Sequence, residues 1–167
     1  MALYSPISDY MEATREKKGR QLKSATRANL GFALAKASQR WNELLAARFS
    51  ELGYPEVRPS YGSVLLPLFE EDHLRIGEIA ARARLSKQTM TTLVRLVERD
   101  GLVTREDDPT DGRATRIRLT KRAREFSSVA ETVVAGLEDR AREVLGVKRC
   151  AELRAALAEL MELGSNR

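Results

Sequence analysis

The sequence predicts a mainly α-helical chain with one small β-hairpin. Three observations carry that expectation. Ala, Leu, Glu and Arg dominate the segments between turns while aromatics make up 5% of the 167 residues, a balance that favours helix over strand. Apolar residues recur at spacings of three and four through most of the chain, the period of one helix face. One stretch, from Leu102 to Leu119, switches instead to short β-prone runs around a loop dense in turn formers. The length suits one domain or two small lobes and is ample for a core.

Taken in order, residues 1–23 form an N-terminal extension. Its opening, "MALYSPISDYMEATREKKGR", has early acids and no apolar centre, so it does not resemble a signal peptide. Leu30, Leu34, Ala37, Trp41, Leu44, Leu45, Phe49 and Leu52 then mark a long helix that ends at Gly53 and Tyr54-Pro55. A second helix follows Pro59-Ser60 with Val64, Leu65, Leu68 and Phe69, and Pro67 is expected to interrupt it. Glu70, Glu71 and Asp72 read as solvation of its C-terminal end. Leu74 to Ile76 could supply a short extra strand.

Gly77 to Arg82 is a short helical run with Ile79, Ala80 and Ala83 on one side. Leu85 breaks it and Ser86 is suited to cap the next helix, because its hydroxyl can accept from an unpaired first-turn amide. Met90, Leu93, Val94 and Val97 form the core face of that helix, and Gly101 ends it as the residue after the C-cap. The hairpin strands are expected at Leu102 to Arg105 and Ala114 to Leu119, around the loop "EDDPTDG". In the second strand Thr115, Ile117 and Leu119 alternate with Ala114, Arg116 and Arg118, one face apolar and the other cationic. Thr120 caps a long helix with Phe126, Val129, Ala130, Val133, Leu137, Ala141 and Val144 on its inner side. Gly146 breaks it, and Leu153, Leu157, Leu160 and Met161 mark a last amphipathic helix.

Charge singles out one region. Between Leu74 and Arg124 there are thirteen lysines and arginines against seven acids, a surplus of six in a chain whose net charge is +5. Such a concentration is the footprint of a polyanion partner. On the helix capped by Ser86, the face opposite the core carries Gln88, Thr91, Thr92 and Arg95 with Lys87 at its edge, side chains suited to base edges and phosphates. Arg113 lies beside the loop tip, where Asp111 can hold its guanidinium, and an arginine on a protruding loop suits a narrow minor groove. Arg116 or Arg118 would lie near phosphates. A solvated amphipathic helix and a plain surface hairpin are the bland alternatives; the succession of short helix, capped helix and basic hairpin favours double-stranded DNA.

The stretch "IGEIAARARLSKQTMTTLVRLVERDGLVTREDDPTDGRATRIRLT" resembles the winged helix-turn-helix core of the multiple antibiotic resistance regulator (MarR) family of transcription factors. Leu85-Ser86, the run from Val94 to Gly101-Leu102-Val103, Asp111-x-Arg113 and Leu119-Thr120 carry the resemblance, which extends more weakly over Ser24 to Leu163. Ala123 stands where the family often has Gly. The resemblance implies a winged helix-turn-helix DNA-binding lobe over 59–119, with long N- and C-terminal dimerisation helices over 24–58 and 120–167. It further implies an obligate homodimer on a pseudo-palindromic operator and a repressor released by a small, aromatic, anionic effector. For that effector, Trp41, Arg58, Tyr61 and His73 are the candidates, offering stacking surface, a cation and a group that titrates near neutrality. Each has a plainer use: Trp41 in the core, Arg58 as a cap or phosphate contact, and His73 as a turn residue.

Three function classes remain in view: a sequence-specific dimeric regulator, a low-specificity architectural DNA binder, and an enzyme or helical protein with an acidic partner. Gln and Thr on the reading face favour the first, since they carry base information that Lys does not. No cofactor is expected. His73 is the one histidine and Cys150 the one cysteine, so no metal site and no catalytic constellation are expected, and no phosphate-binding glycine loop is present. The lone cysteine fits a reducing cytoplasm, as a structural thiol rather than an oxidant sensor. The chain has no run of about twenty apolar residues to span a membrane.

Overall fold

The computed structural model describes residues 29–163, so the expected extension 1–23 lies outside the described residues. The chain divides into two compact units with the boundary between Leu44 and Leu45. Helix α1, Leu30–Glu51, runs through that boundary. In the first unit, Asn29 Oδ1 accepts from the Phe32 amide at 2.7 Å and satisfies a first-turn donor. Leu30, Phe32 and Leu34 are all exposed there. Of the apolar stripe expected along α1, Phe49 alone is buried, so a helix with core spacing has most of that face uncovered.

The second unit begins with the end of α1, which turns at Gly53, φ +90°. A 3-10 turn, Pro59–Tyr61, leads into α2, Gly62–Glu70. A two-residue strand β1, Leu74–Arg75, precedes α3, Ile76–Arg82, and α4, Lys87–Arg99. Strands β2, Val103–Asp108, and β3, Asp111–Leu119, follow. Helices α5, Lys121–Leu145, and α6, Val147–Met161, are the last described elements. The fold is mainly α with a small three-stranded antiparallel sheet ordered β1-β3-β2. Leu74 pairs with Ile117, and Val103 with Leu119.

The core gathers Tyr61, Val64, Leu65 and Leu68 under Ile79, Met90, Val94 and Val97, with Leu102, Val103 and Ile117 from the hairpin. Met90, Val94 and Val97 have no exposed surface, and burying each stabilises the lobe by roughly 1.5–3 kcal/mol. Phe126 of α5 stacks edge-on against Phe49, ring centres 4.9 Å apart, and so joins the end of α1 to this core. Arg122 lies over the Tyr54 ring at 4.4 Å, pairs with Glu56 and donates to the Gly53 carbonyl at 2.6 Å.

Three local expectations are corrected. Pro67 does not interrupt α2, which runs on through Glu70. The helix is short, Pro67 and its neighbour Leu68 are buried, and that packing outweighs one missing amide bond. The hairpin strands are longer than expected and leave Pro109-Thr110 as the turn, with a bulge between Asp107 and Asp108. Acids can occupy the strand because Asp108 is neutralised from two sides. Asp72, read as mere solvation, instead accepts from the amides of His73 and Leu119, both at 2.9 Å, and from Arg124 at 2.8 Å. Burial opposes its ionisation, but these donors outweigh it and hold its carboxyl below the usual range.

Candidate nucleic-acid interface

The candidate reading helix is α4, and its placement follows from its ends. Ser86 Oγ accepts from the Thr89 amide at 3.1 Å, capping the first turn as expected. At the other end Gly101 takes φ +76°, a left-handed conformation that costs other residues about 1–2 kcal/mol. Asp100 receives the Tyr61 hydroxyl at 2.5 Å and Arg99 Nε at 2.9 Å. Burial first, and then this bond to Asp100, push the Tyr61 hydroxyl above its ordinary pKa. Thr120 Oγ1 donates to the Gly101 carbonyl at 2.9 Å, so the start of the hairpin and the start of α5 are tied to the end of α4.

The outward face of α4 holds Lys87, Gln88, Thr92 and Arg95 exposed and Thr91 half-buried. Thr91 Oγ1 donates to the Lys87 carbonyl at 2.7 Å and Thr92 Oγ1 to the Gln88 carbonyl at 3.2 Å. Both hydroxyls thus spend their donor on the helix and keep free lone pairs. Among the described residues the side chains of Lys87, Gln88 and Arg95 have no partner. They are not held in ion pairs that a ligand would have to break, whereas Met90, Val94 and Val97 on the opposite face are committed to the core and Leu93 is half-buried.

The wing is organised by a residue that the sequence did not single out. Asp108, 3% exposed, is the one buried charged residue among those described. Its carboxylate accepts from Arg75 Nε at 2.7 Å, Arg116 Nε at 2.9 Å and Thr110 Oγ1 at 2.7 Å. Arg75 first, then Arg116 and Thr110, hold that carboxyl far below the ordinary range. Arg116 is therefore a strut of the wing, fixing β3 to the turn. The local signal was the Asp-x-Thr spacing of an Asx turn; the Arg75 partner, 33 residues away, had none.

Arg113 is exposed, and its guanidinium has no partner among the described residues. Asp111 does not grip it as expected: Asp111 Oδ1 accepts from the Arg113 backbone amide at 3.1 Å, which shapes the turn and leaves the side chain free. Arg118 is exposed and lies 4.0 Å from Glu106, a screened contact.

Of the four effector candidates, Arg58 and Tyr61 are electrostatic neighbours around Asp100 in the second unit, and Trp41 belongs to the first. Trp41 is half-buried on α1 in the first unit, and Arg58 is exposed ahead of the 3-10 turn. Tyr61 is fully buried with its hydroxyl on Asp100. His73 sits in the left-handed region, φ 64°, with Nδ1 on Glu106. Cys150 is half-buried at the start of α6. Among the described residues no helix is long and apolar enough to cross a membrane.

A model of the MarR family matches residues 63–114. A curated relative, the exopolysaccharide II synthesis transcriptional activator ExpG of Rhizobium meliloti (strain 1021), is 26% identical over 109 residues, 65% of this chain. The match spans 56%, a little over half, of that protein's length. Among solved structures, the transcriptional repressor CouR bound to a 23-mer DNA duplex has 28% identity and a TM-score of 0.68, covering 80% of this chain and 92% of that one. A MarR family protein of Mycobacterium tuberculosis in complex with salicylic acid has 28% identity and a TM-score of 0.56, covering 80% and 96%.

Proposed function

The lobe that carries α3, α4 and the wing is a MarR-family winged helix-turn-helix, and from that premise we propose that this chain is a sequence-specific transcriptional regulator. It binds double-stranded DNA as a homodimer on a pseudo-palindromic operator. The carrying observation is the contrast across α4: Met90, Val94 and Val97 are wholly buried, while Lys87, Gln88 and Arg95 have no partner among the described residues. Bidentate side chains on an exposed helix face suit base edges in the major groove. Arg113 enters the flanking minor groove and Arg118 meets phosphate, with Arg116 and Arg75 bracing the wing between them.

Uncovered apolar surface supports the homodimer. Helix α6 has no buried residue, and Val144, Val147, Leu153 and Met161 are exposed, as are Leu30 and Phe32 of α1. Patches of this kind are best covered by a second copy. In the division that follows, 59–119 reads DNA while 24–58 and 120–167 pair the subunits. Regulation is by repression, released by a small aromatic anion; the salicylic acid bound to the mycobacterial relative supports that ligand class. The two named regulators differ in sign, an activator and a repressor.

The test is footprinting on promoter DNA beside random DNA, with sedimentation of the protein at micromolar concentration. A discrete protected site and a dimer mass are expected. Uniform coating of both DNAs would favour an architectural binder, and a monomer that still binds its site tightly would remove the homodimer.

A further inference from the structure

Between α2 and β1 the single histidine of the chain, His73, takes a left-handed backbone, φ 64°, a conformation uncommon outside glycine. Asp72 Oδ1 accepts its amide at 2.9 Å, and the imidazole lies between two carboxylates. Nδ1 meets Glu106 Oε1 of β2, and Nε2 stands 3.8 Å from Asp72 Oδ2. The two carboxylates differ in their other partners. Asp72 is already held by Arg124 of α5 at 2.8 Å and by the Leu119 amide. Among the described residues Glu106 has, besides His73, only Arg118 of β3, 4.0 Å from its other oxygen. Its cross-strand neighbour Arg116 is spent on Asp108. A change of charge on His73 therefore falls on Glu106, and through it on Arg118.

We propose that the wing binds DNA more tightly when His73 is protonated, because the imidazolium neutralises Glu106 and releases Arg118 to phosphate. Histidine changes charge between about pH 5 and about pH 8. The neutral ring, with its hydrogen on Nδ1, already donates to Glu106. The second proton, taken from solvent, settles on Nε2 opposite Asp72. The contact with Glu106 persists, and the pair passes from net negative to neutral. While the ring is neutral, Glu106 draws the Arg118 guanidinium and itself repels phosphate; the imidazolium cancels both effects. This dependence on pH deepens the proposed DNA reading, on which it rests.

The experiment measures the affinity of the full chain for a fluorescein-labelled random-sequence duplex of about 30 base pairs, long enough for two half-sites. Salt is varied at about pH 8 and at about pH 5.5. The wild-type slope of log affinity against log salt should be steeper by about 1.8 at the lower pH, two wings each gaining about one phosphate charge. His73→Asn, a residue that tolerates the left-handed backbone, should keep the shallow slope at both pH values. Glu106→Gln should keep the steep slope at both, and it decides the matter if His73→Asn fails to fold. Arg118→Ala should remove the dependence on pH. The imidazole resonances of the one histidine should titrate at higher pH once the duplex is added, as linkage requires. A wild-type slope equal at both pH values, or a steepening that survives Glu106→Gln or Arg118→Ala, would overturn the proposal. Footprinting tests the regulator reading separately. A discrete protected site without the pH effect sinks only this proposal, uniform coating with the effect sinks only base readout, and no binding at either pH sinks both.

Discussion

Removing the Arg113 guanidinium should change DNA binding and leave the fold intact. The side chain is exposed and partner-free among the described residues, so Arg113→Ala strands no buried group and stability should stay within about 0.5 kcal/mol. A two-fold dimer has two wings, so about two charges leave the interface, and the slope of log affinity against log salt should become shallower by about 1.8. Between about 50 and about 200 mM salt the wild type should therefore lose about twelve times more affinity than the variant. Fluorescence anisotropy of a labelled operator across that range reads the slope, and a thermal melt reads the fold. Arg116→Ala is the contrast, because it takes a donor from the buried Asp108 carboxylate and should lower both affinity and melting point. An Arg113→Ala slope equal to wild type would remove the wing tip from the interface. A slope change accompanied by a melting drop like that of Arg116→Ala would show that Arg113 supports the wing instead of reading DNA.

Gln88→Ala or Arg95→Ala should weaken operator binding by about 1–3 kcal/mol and random-DNA binding less; equal losses in a competition assay would argue against base readout. Gly101→Ala has free space for its Cβ but must hold φ +76°, so it should cost about 1–2 kcal/mol by chemical denaturation, and an unchanged midpoint would refute the conformational argument. Asp108 has its folded pKa depressed, so its contribution is fully present above the unfolded carboxylate value and is lost as pH falls through and below about 3.9. Asp108→Asn should therefore be less stable than wild type at neutral pH, with the gap closing on acidification; a gap that widens in acid would reverse the sign.

Much of this fold is legible because its signals are local. Ser86 and Thr120 cap the helices they precede, and Gly53, Gly101 and Gly146 all take the positive φ that ends one. The polar face of α4 was legible for the same reason: helical period alone puts Gln88, Thr92 and Arg95 opposite Met90, Val94 and Val97. What was not legible depends on partners far along the chain. Asp108 looks like a loop acid until Arg75 and Arg116 meet on it, which lets the strand continue through acidic residues. Tyr61 looks like a ligand-facing aromatic until Asp100, 39 residues on, takes its hydroxyl. Apolar spacing likewise cannot say whether a face is covered by its own chain, and along α1 and α6 it mostly is not.

If two copies of α4 read bases together, site selection from a random DNA pool will show it. Pools carried through several rounds and footprinted should yield an inverted repeat with half-site centres about 10 base pairs apart, or a multiple. Its protected bases should change when Gln88 or Arg95 is replaced. A pool that binds tightly but enriches no sequence, or that enriches a single unrepeated half-site, would contradict a dimeric, base-reading regulator.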